Sequence, residues 1–113
     1  MTVDPSGRFA YAANEGDSTV SGFTINSATG ALTAISGSPY GAASEPESVT
    51  VDPSGRFAYV ANQNGDSVSA YTINPTTGAL TAISGSPFGT GTSSDPIAVT
   101  VDPSGQYLSL IHI

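Results

Sequence analysis

Lysine, cysteine and tryptophan are absent from this 113-residue chain, and histidine and methionine occur once each. Without cysteine there is no disulfide framework and no thiolate metal site, and nothing marks the redox compartment. The only cations, Arg8 and Arg56, face nine acids for a net charge of −7. A phosphate-backbone binder needs clustered Lys and Arg, so nucleic acid is excluded as a partner, and an anionic membrane surface is disfavoured for the same reason. No run approaches the roughly 20 apolar residues of a membrane-spanning helix. The first residues, Met1–Pro5, show neither a basic segment nor an apolar one of the signal-peptide kind. Charged residues make up 10% of the chain, too few for a disordered acidic tail or a coiled coil. Helical periodicity is missing throughout, and so are the G-x-S-x-G, H-E-x-x-H, P-loop and dinucleotide motifs.

What is present is turn and strand material: 13 Gly, 8 Pro, 17 Ser and 13 Thr, with scattered Val, Ile, Phe and Tyr. The sequence also repeats. Asp-Pro-Ser-Gly stands at Asp4–Gly7, Asp52–Gly55 and Asp102–Gly105, and residues 2–41 align with residues 50–89 without gaps at 29 of 40 positions. One supersecondary module has been copied. In the second copy, Glu47–Val51 alternates as a strand, and Asp52–Gly55 supplies a type I turn. Phe57–Ala61 is the second strand. Asn64-Gly65 predicts a tight hairpin, with both residues at positive φ. Val68–Ile73 and Ala79–Ile83 are the third and fourth strands, and Ser84–Pro96 reads as a link to the next copy, with Gly-Ser-Pro as loop punctuation.

Four antiparallel strands repeating every 45–50 residues describe a propeller blade, so the expected fold is all-β, with about 2.3 blades of an incomplete ring. Residues 1–41 form a first blade with a shortened inner strand, 42–89 a complete second blade, and 90–107 the start of a third. Residues 108–113 depart from the repeat; they match one reading frame of a common sequencing adapter and are expected to be a non-native tail, which removes His112 from consideration. The chain therefore reads as a piece of a longer ring, with Phe9, Tyr11, Phe23, Ile25, Leu32 and Ile35, and their counterparts Phe57, Tyr59, Tyr71, Ile73, Leu80 and Ile83, as inter-blade core.

Val51–Asn62, Asp66–Asn74 and Thr77–Thr81 closely resemble the blades of the seven-bladed lactonase-family propellers, which include 6-phosphogluconolactonase-like proteins. Tyr59–Asn62 is also similar to the YVTN-type blades of bacterial surface and secreted propellers. The resemblance implies hydrolysis of a sugar lactone, a small-molecule lactone or carbohydrate as partner, no cofactor, and a site in the central funnel built from His, Arg and Glu of several blades. Many members carry Pro-His just before the inner strand; here the matching pairs are Pro46-Glu47 and Pro96-Ile97, and neither Arg8 nor Arg56 matches a family catalytic arginine. The catalytic set is thus expected on other blades, which would also be this chain's partners unless it self-associates. The rival class is a non-catalytic secreted or surface scaffold, towards which near-identical blades and Ser/Thr-rich loops tilt.

In a propeller, the inter-blade links and the second-to-third-strand turns share one face. That places Glu15, Asp17, Glu45, Glu47, Asp66 and Asp95 at the funnel, and Asp4, Asp52 and Asp102 opposite. Candidate ligand-binding residues are Glu47, Glu45, Asp95, Asp66 and Asp17. Glu47, beside the inner strand, suits binding a cation or a polyol, or serving as general base. The simpler reading is a set of solvated loop acids. Asn64–Asp66 lacks the acid spacing of a calcium loop, and no metal site is expected.

Overall fold

The computed structural model describes residues 1–90, 96–101, 104 and 108–112. They form two five-stranded antiparallel sheets and a two-stranded one, with a single 3-10 turn as the helical element among the described residues. The first sheet contains β1 (Thr2–Val3), β2 (Phe9–Asn14), β3 (Thr19–Ile25), β4 (Leu32–Ala34) and β5 (Tyr40–Gly41). The second contains β6 (Pro46–Val51), β7 (Phe57–Asn62), β8 (Ser67–Ile73), β9 (Leu80–Ala82) and β10 (Phe88–Gly89). A third pair, β11 (Pro96–Val101) and β12 (Leu108–His112), follows. These are propeller blades, and no sheet closes on itself.

The Asp-Pro-Ser-Gly turns form as the residue types require. Gly7 N–H donates to Asp4 O and Gly55 N–H to Asp52 O, with both glycines at positive φ. Each Asp side chain then reaches forward: Asp4 accepts from Ser6 Oγ at 2.6 Å and from the N–H groups of Arg8 and Phe9 at 3.0 Å. Asp52 repeats the set with Ser54, Arg56 and Phe57.

Two expectations are corrected. The outer strand is split: β3 pairs with β4 along one half and with β5 along the other, and β8 does the same with β9 and β10. Gly-Ser-Pro sits at the gap with a cis bond before Pro39 and Pro87. There Ser38 Oγ accepts from Gly22 N–H, and Ser86 Oγ from Ala70 N–H, both at 2.9 Å. A serine side chain thus supplies the acceptor that the broken strand does not, so the segment belongs to the blade rather than to the link.

The β7–β8 turn is the second correction. Because Asn62 pairs with Ser67, the loop has four residues, and the positive φ falls on its last residue, Asp66, rather than on Asn64 or Gly65. Gly65 is instead where the linker comes close: a Cβ there would meet Ala43 Cβ at 3.1 Å and Ser44 N at 3.2 Å.

Strand alternation gives each blade two faces. Phe9, Tyr11, Val20 and Ile35 of the first pack on Val49, Ala58, Val60, Tyr71, Ile73 and Leu80 of the second, making the buried core. The repeat counterparts that point away from this seam are more open: Leu32 is 47% exposed and Leu80 6%. Burying a leucine fully stabilises by roughly 1.5–3 kcal/mol, so the seam is a large part of what holds the blades together.

Candidate functional site

The inner strand of the second blade carries an irregularity at Glu47. Pro46 pairs with Asn62 and Ser48 with Ala61, leaving Glu47 as an extra residue in the ladder. Such a bulge bends the strand and re-aims the side chain it carries, and bulges concentrate at barrel rims and functional sites. The same shift recurs in β11 between Pro96 and Ala98. The bulge therefore belongs to the module, and the blades differ in which residue occupies it.

Glu47 is half-buried. Its carboxyl is pushed above the usual range, first by desolvation, then by the nearby negative charge of Glu15, a hydrogen bond with the Glu15 side chain, and the charge of Glu45. Glu15 comes from the turn Glu15–Asp17 of the first blade, so the pair bridges two blades. Glu45 enters from the linker in a left-handed conformation, φ 52°. That conformation is uncommon for a non-glycine residue, and more so before a proline. It is held in place because Glu45 O accepts from Gln63 N–H at 2.8 Å and Ser44 O from Gly65 N–H at 3.1 Å. Two buried oxygens nearby in the ladder, Ser48 Oγ and Asn62 Oδ1, have no hydrogen-bond partner. Asn62 donates through Nδ2 to Ser67 and Ser69, as Asn14 does to Thr19 and Ser21 in the first blade.

The other expected site residues fare differently. Asp17 lies exposed at the end of the first-blade turn, and Asp66 takes the left-handed position of the second. Neither is among the groups that perturb Glu47. Asp95 and Asp102 lie outside the described residues. Among the described residues no three acids converge closely enough to hold a metal ion, which gives the cation reading of Glu47 no support. What the sequence did not disclose is the pairing of Glu15 with Glu47. It depends on the bulge and on two blades meeting, and only the matched loop positions hinted at it.

A cleft of about 410 Å³ opens at the opposite end, lined by Arg8, Phe9, Arg56, Phe57, Ile73 and Pro75. It is the seam between the turns of consecutive blades, and its volume is no argument for placing chemistry there. No helix among the described residues is long and apolar enough to cross a membrane.

The family described as lactonase, 7-bladed beta-propeller, matches residues 1–93, and the chain belongs to that family. Among solved structures it is similar to a protein of Bacteroides uniformis assigned as a 6-phosphogluconolactonase, at 24% identity and a TM-score of 0.81 over 96% of this chain and 31% of that one. A counterpart from Bacteroides fragilis, assigned likewise, matches at 24% identity and a TM-score of 0.81, covering 96% and 30% of the two chains. The periplasmic gluconolactonase of Pseudomonas aeruginosa matches at 26% identity and a TM-score of 0.69, covering 79% and 25%. The chain spans a third or less of each of these proteins. No curated protein matches it.

Proposed function

We propose that the chain contributes two neighbouring blades to a propeller that hydrolyses a sugar lactone, and that Glu47, paired with Glu15, binds hydroxyl groups of the sugar at the mouth of the central channel. The observation that carries this reading is the bulge that turns Glu47 out of the inner-strand ladder at a blade junction of a lactonase-family propeller. Names borne by similar structures, among them a gluconolactonase, support the substrate class.

Lactone hydrolysis adds water to the ring carbonyl, passes through a tetrahedral oxyanion and breaks the bond to the ring oxygen, which leaves with a proton. The Glu47 and Glu15 carboxyls together offer several acceptor oxygens to vicinal hydroxyls, a good match for a polyol. The groups that activate water and stabilise the oxyanion are assigned to other blades, because Arg8 and Arg56 stand at the far end of the sheets and the only histidine is His112.

The test is hydrolysis of glucono-1,5-lactone and its 6-phosphate by the full-length protein that carries these blades, followed by acid release against the spontaneous rate. Glu47→Gln is expected to raise KM about tenfold and change kcat less, the pattern of a lost binding contact. A full-length protein with no activity above the spontaneous rate on either lactone overturns the reading.

A further inference from the structure

Asn64-Gly65 is the single Asn-Gly pair in the chain, and the left-handed position expected of it is taken by Asp66. An asparagine before glycine is the pair most prone to lose its side-chain amide, because the unhindered glycine nitrogen can reach the asparagine Cγ. The five asparagines stand differently towards that reaction. Asn62 is fully buried, and Asn74 precedes Pro75, whose nitrogen carries no proton to give up. Asn26 precedes Ser27, but its side chain is held by the N–H groups of Ala28 and Thr29 at 2.8 and 3.1 Å. Asn14 precedes the bulkier Glu15 and is tied through Nδ2 to Thr19 and Ser21. The Asn64 side chain is exposed and makes no hydrogen bond among the described residues.

The nucleophile, however, is occupied. Gly65 N–H donates to Ser44 O at 3.1 Å, and the linker packs on the glycine so closely that a Cβ would meet Ala43 Cβ at 3.1 Å. A second bond beside it, from Gln63 N–H to Glu45 O at 2.8 Å, fastens the same two segments. The Gly65 nitrogen must shed its proton before it can attack, and a proton held by a carbonyl under a packed linker is out of reach of base until that contact opens. The first blade has no such arrangement. Gly16 and Asp17 take the places of Asn64 and Gly65, and a Cβ at Gly16 would meet nothing within 4 Å.

We propose that Asn64 is a site of spontaneous deamidation and that the linker at Ser44 and Glu45 is its brake. When the bond between Gly65 and Ser44 opens, the Gly65 nitrogen gives up its proton and attacks Asn64 Cγ. The side-chain nitrogen leaves as ammonia, taking up that proton, and a cyclic imide joins the two residues. Water then opens either carbonyl of the imide, giving aspartate or its β-linked isomer. One water enters and one ammonia leaves, with no change of oxidation state. The β-linked product threads the backbone through the side chain and so lengthens the loop between Asn62 and Ser67. Gly65 N–H then no longer meets Ser44 O, and a new carboxylate stands on a loop fastened to Glu45. Ageing of one residue thus loosens the segment that brings Glu45 towards Glu47.

The test incubates the 113-residue chain in mildly alkaline buffer and follows each asparagine by peptide mapping, beside a peptide spanning residues 60–70, which lacks the linker. Exchange of the Gly65 amide hydrogen, read by NMR, measures the same opening. Deamidation is expected first at Asn64, and roughly tenfold slower in the chain than in the peptide, the effect of one hydrogen bond and its packing. Ser44→Gly, a change at an exposed position that frees the linker, should speed deamidation and Gly65 exchange together, by several-fold. In the β-linked product, separated by ion exchange, the Gln63 amide should exchange faster than in the parent. Equal rates in chain and peptide overturn the proposal, as does reaction at Asn26 ahead of Asn64. So does a Ser44→Gly variant in which the two rates part company or neither rises.

Discussion

Asp4 and Asp52 close the inner-strand turns at one end of the sheets, whereas Glu15, Glu45 and Glu47 crowd the other end, and the two groups of carboxylates are held in opposite ways. Burial alone would raise the Asp4 and Asp52 carboxyls. Bonds from a serine hydroxyl and from successive backbone N–H groups outweigh it and bring both below the usual range. At the other end burial acts in the same direction, but the neighbours are more carboxylates, and Glu47 ends above its usual range. Burial is shared; the partners decide the sign. Acids that fix a turn receive donors from their own loop, whereas Glu15, Glu45 and Glu47 are gathered from three segments and meet chiefly one another.

Removing a turn acid should have the largest effect. Asp52→Ala leaves the N–H groups of Arg56 and Phe57 and the Ser54 hydroxyl without their common acceptor, and a loss of about 2–3 kcal/mol in unfolding free energy is expected by denaturant titration. Asp4→Ala should match it, since its bonds are the same. If either variant is as stable as the parent, the carboxylates at this end are not structural and the contrast fails.

Relieving strain at the opposite end should act the other way. Glu45→Gly accepts φ 52° without a Cβ penalty, and a gain of about 0.5–1 kcal/mol is expected, somewhat offset by the glycine's greater freedom when unfolded. If Glu45 also tunes its neighbour, the same change should lower the Glu47 pKa, read by NMR titration of the side-chain carboxyl. A gain in stability with no movement of that pKa would separate the backbone role from the electrostatic one.

Much of this contrast was legible beforehand. The repeat fixed the blade, the Asp-Pro-Ser-Gly turns folded as their residues demand, and the sorting of acids between the two ends follows from strand order. Residue identity did not reveal features that depend on register or on a second segment. The outer strand looked continuous with a link because nothing in Ser38 or Ser86 announces that its hydroxyl will replace a strand carbonyl. Asn64-Gly65 suggested that the hairpin would take its positive φ there, but the Asn62–Ser67 pairing leaves a four-residue loop whose left-handed residue is Asp66. Gly65 serves close packing by the linker, a neighbour distant in kind from any local turn signal. Of the aromatic positions expected in the core, Phe9, Tyr11 and Tyr71 meet across the seam and are buried, whereas Phe23, Phe57 and Tyr59 lie on the outward faces and are only half-buried.

The smallest effect is also the sharpest test, since it asks whether the Glu47 carboxyl opposes folding. Glu47 has a folded pKa above its unfolded value of about 4.3, so the native state binds its proton more tightly. The penalty is absent below the unfolded pKa, develops as pH rises towards and through the folded one, and is complete above it. Asp4 and Asp52 run in the reverse sense: their contribution is whole above about 3.9 and fades as pH falls through their lowered folded values. Glu47→Gln should therefore equal the parent in stability near pH 4 and exceed it at pH 7 by no more than about 0.5 kcal/mol, because the site is partly solvated. An Asp52→Asn variant should show the complementary profile, closest to the parent at the acid end and furthest below it at neutral pH. If Glu47→Gln is instead less stable than the parent at pH 7, the glutamate is anchored by a donor as the aspartates are, and its charge is structural rather than available to a ligand.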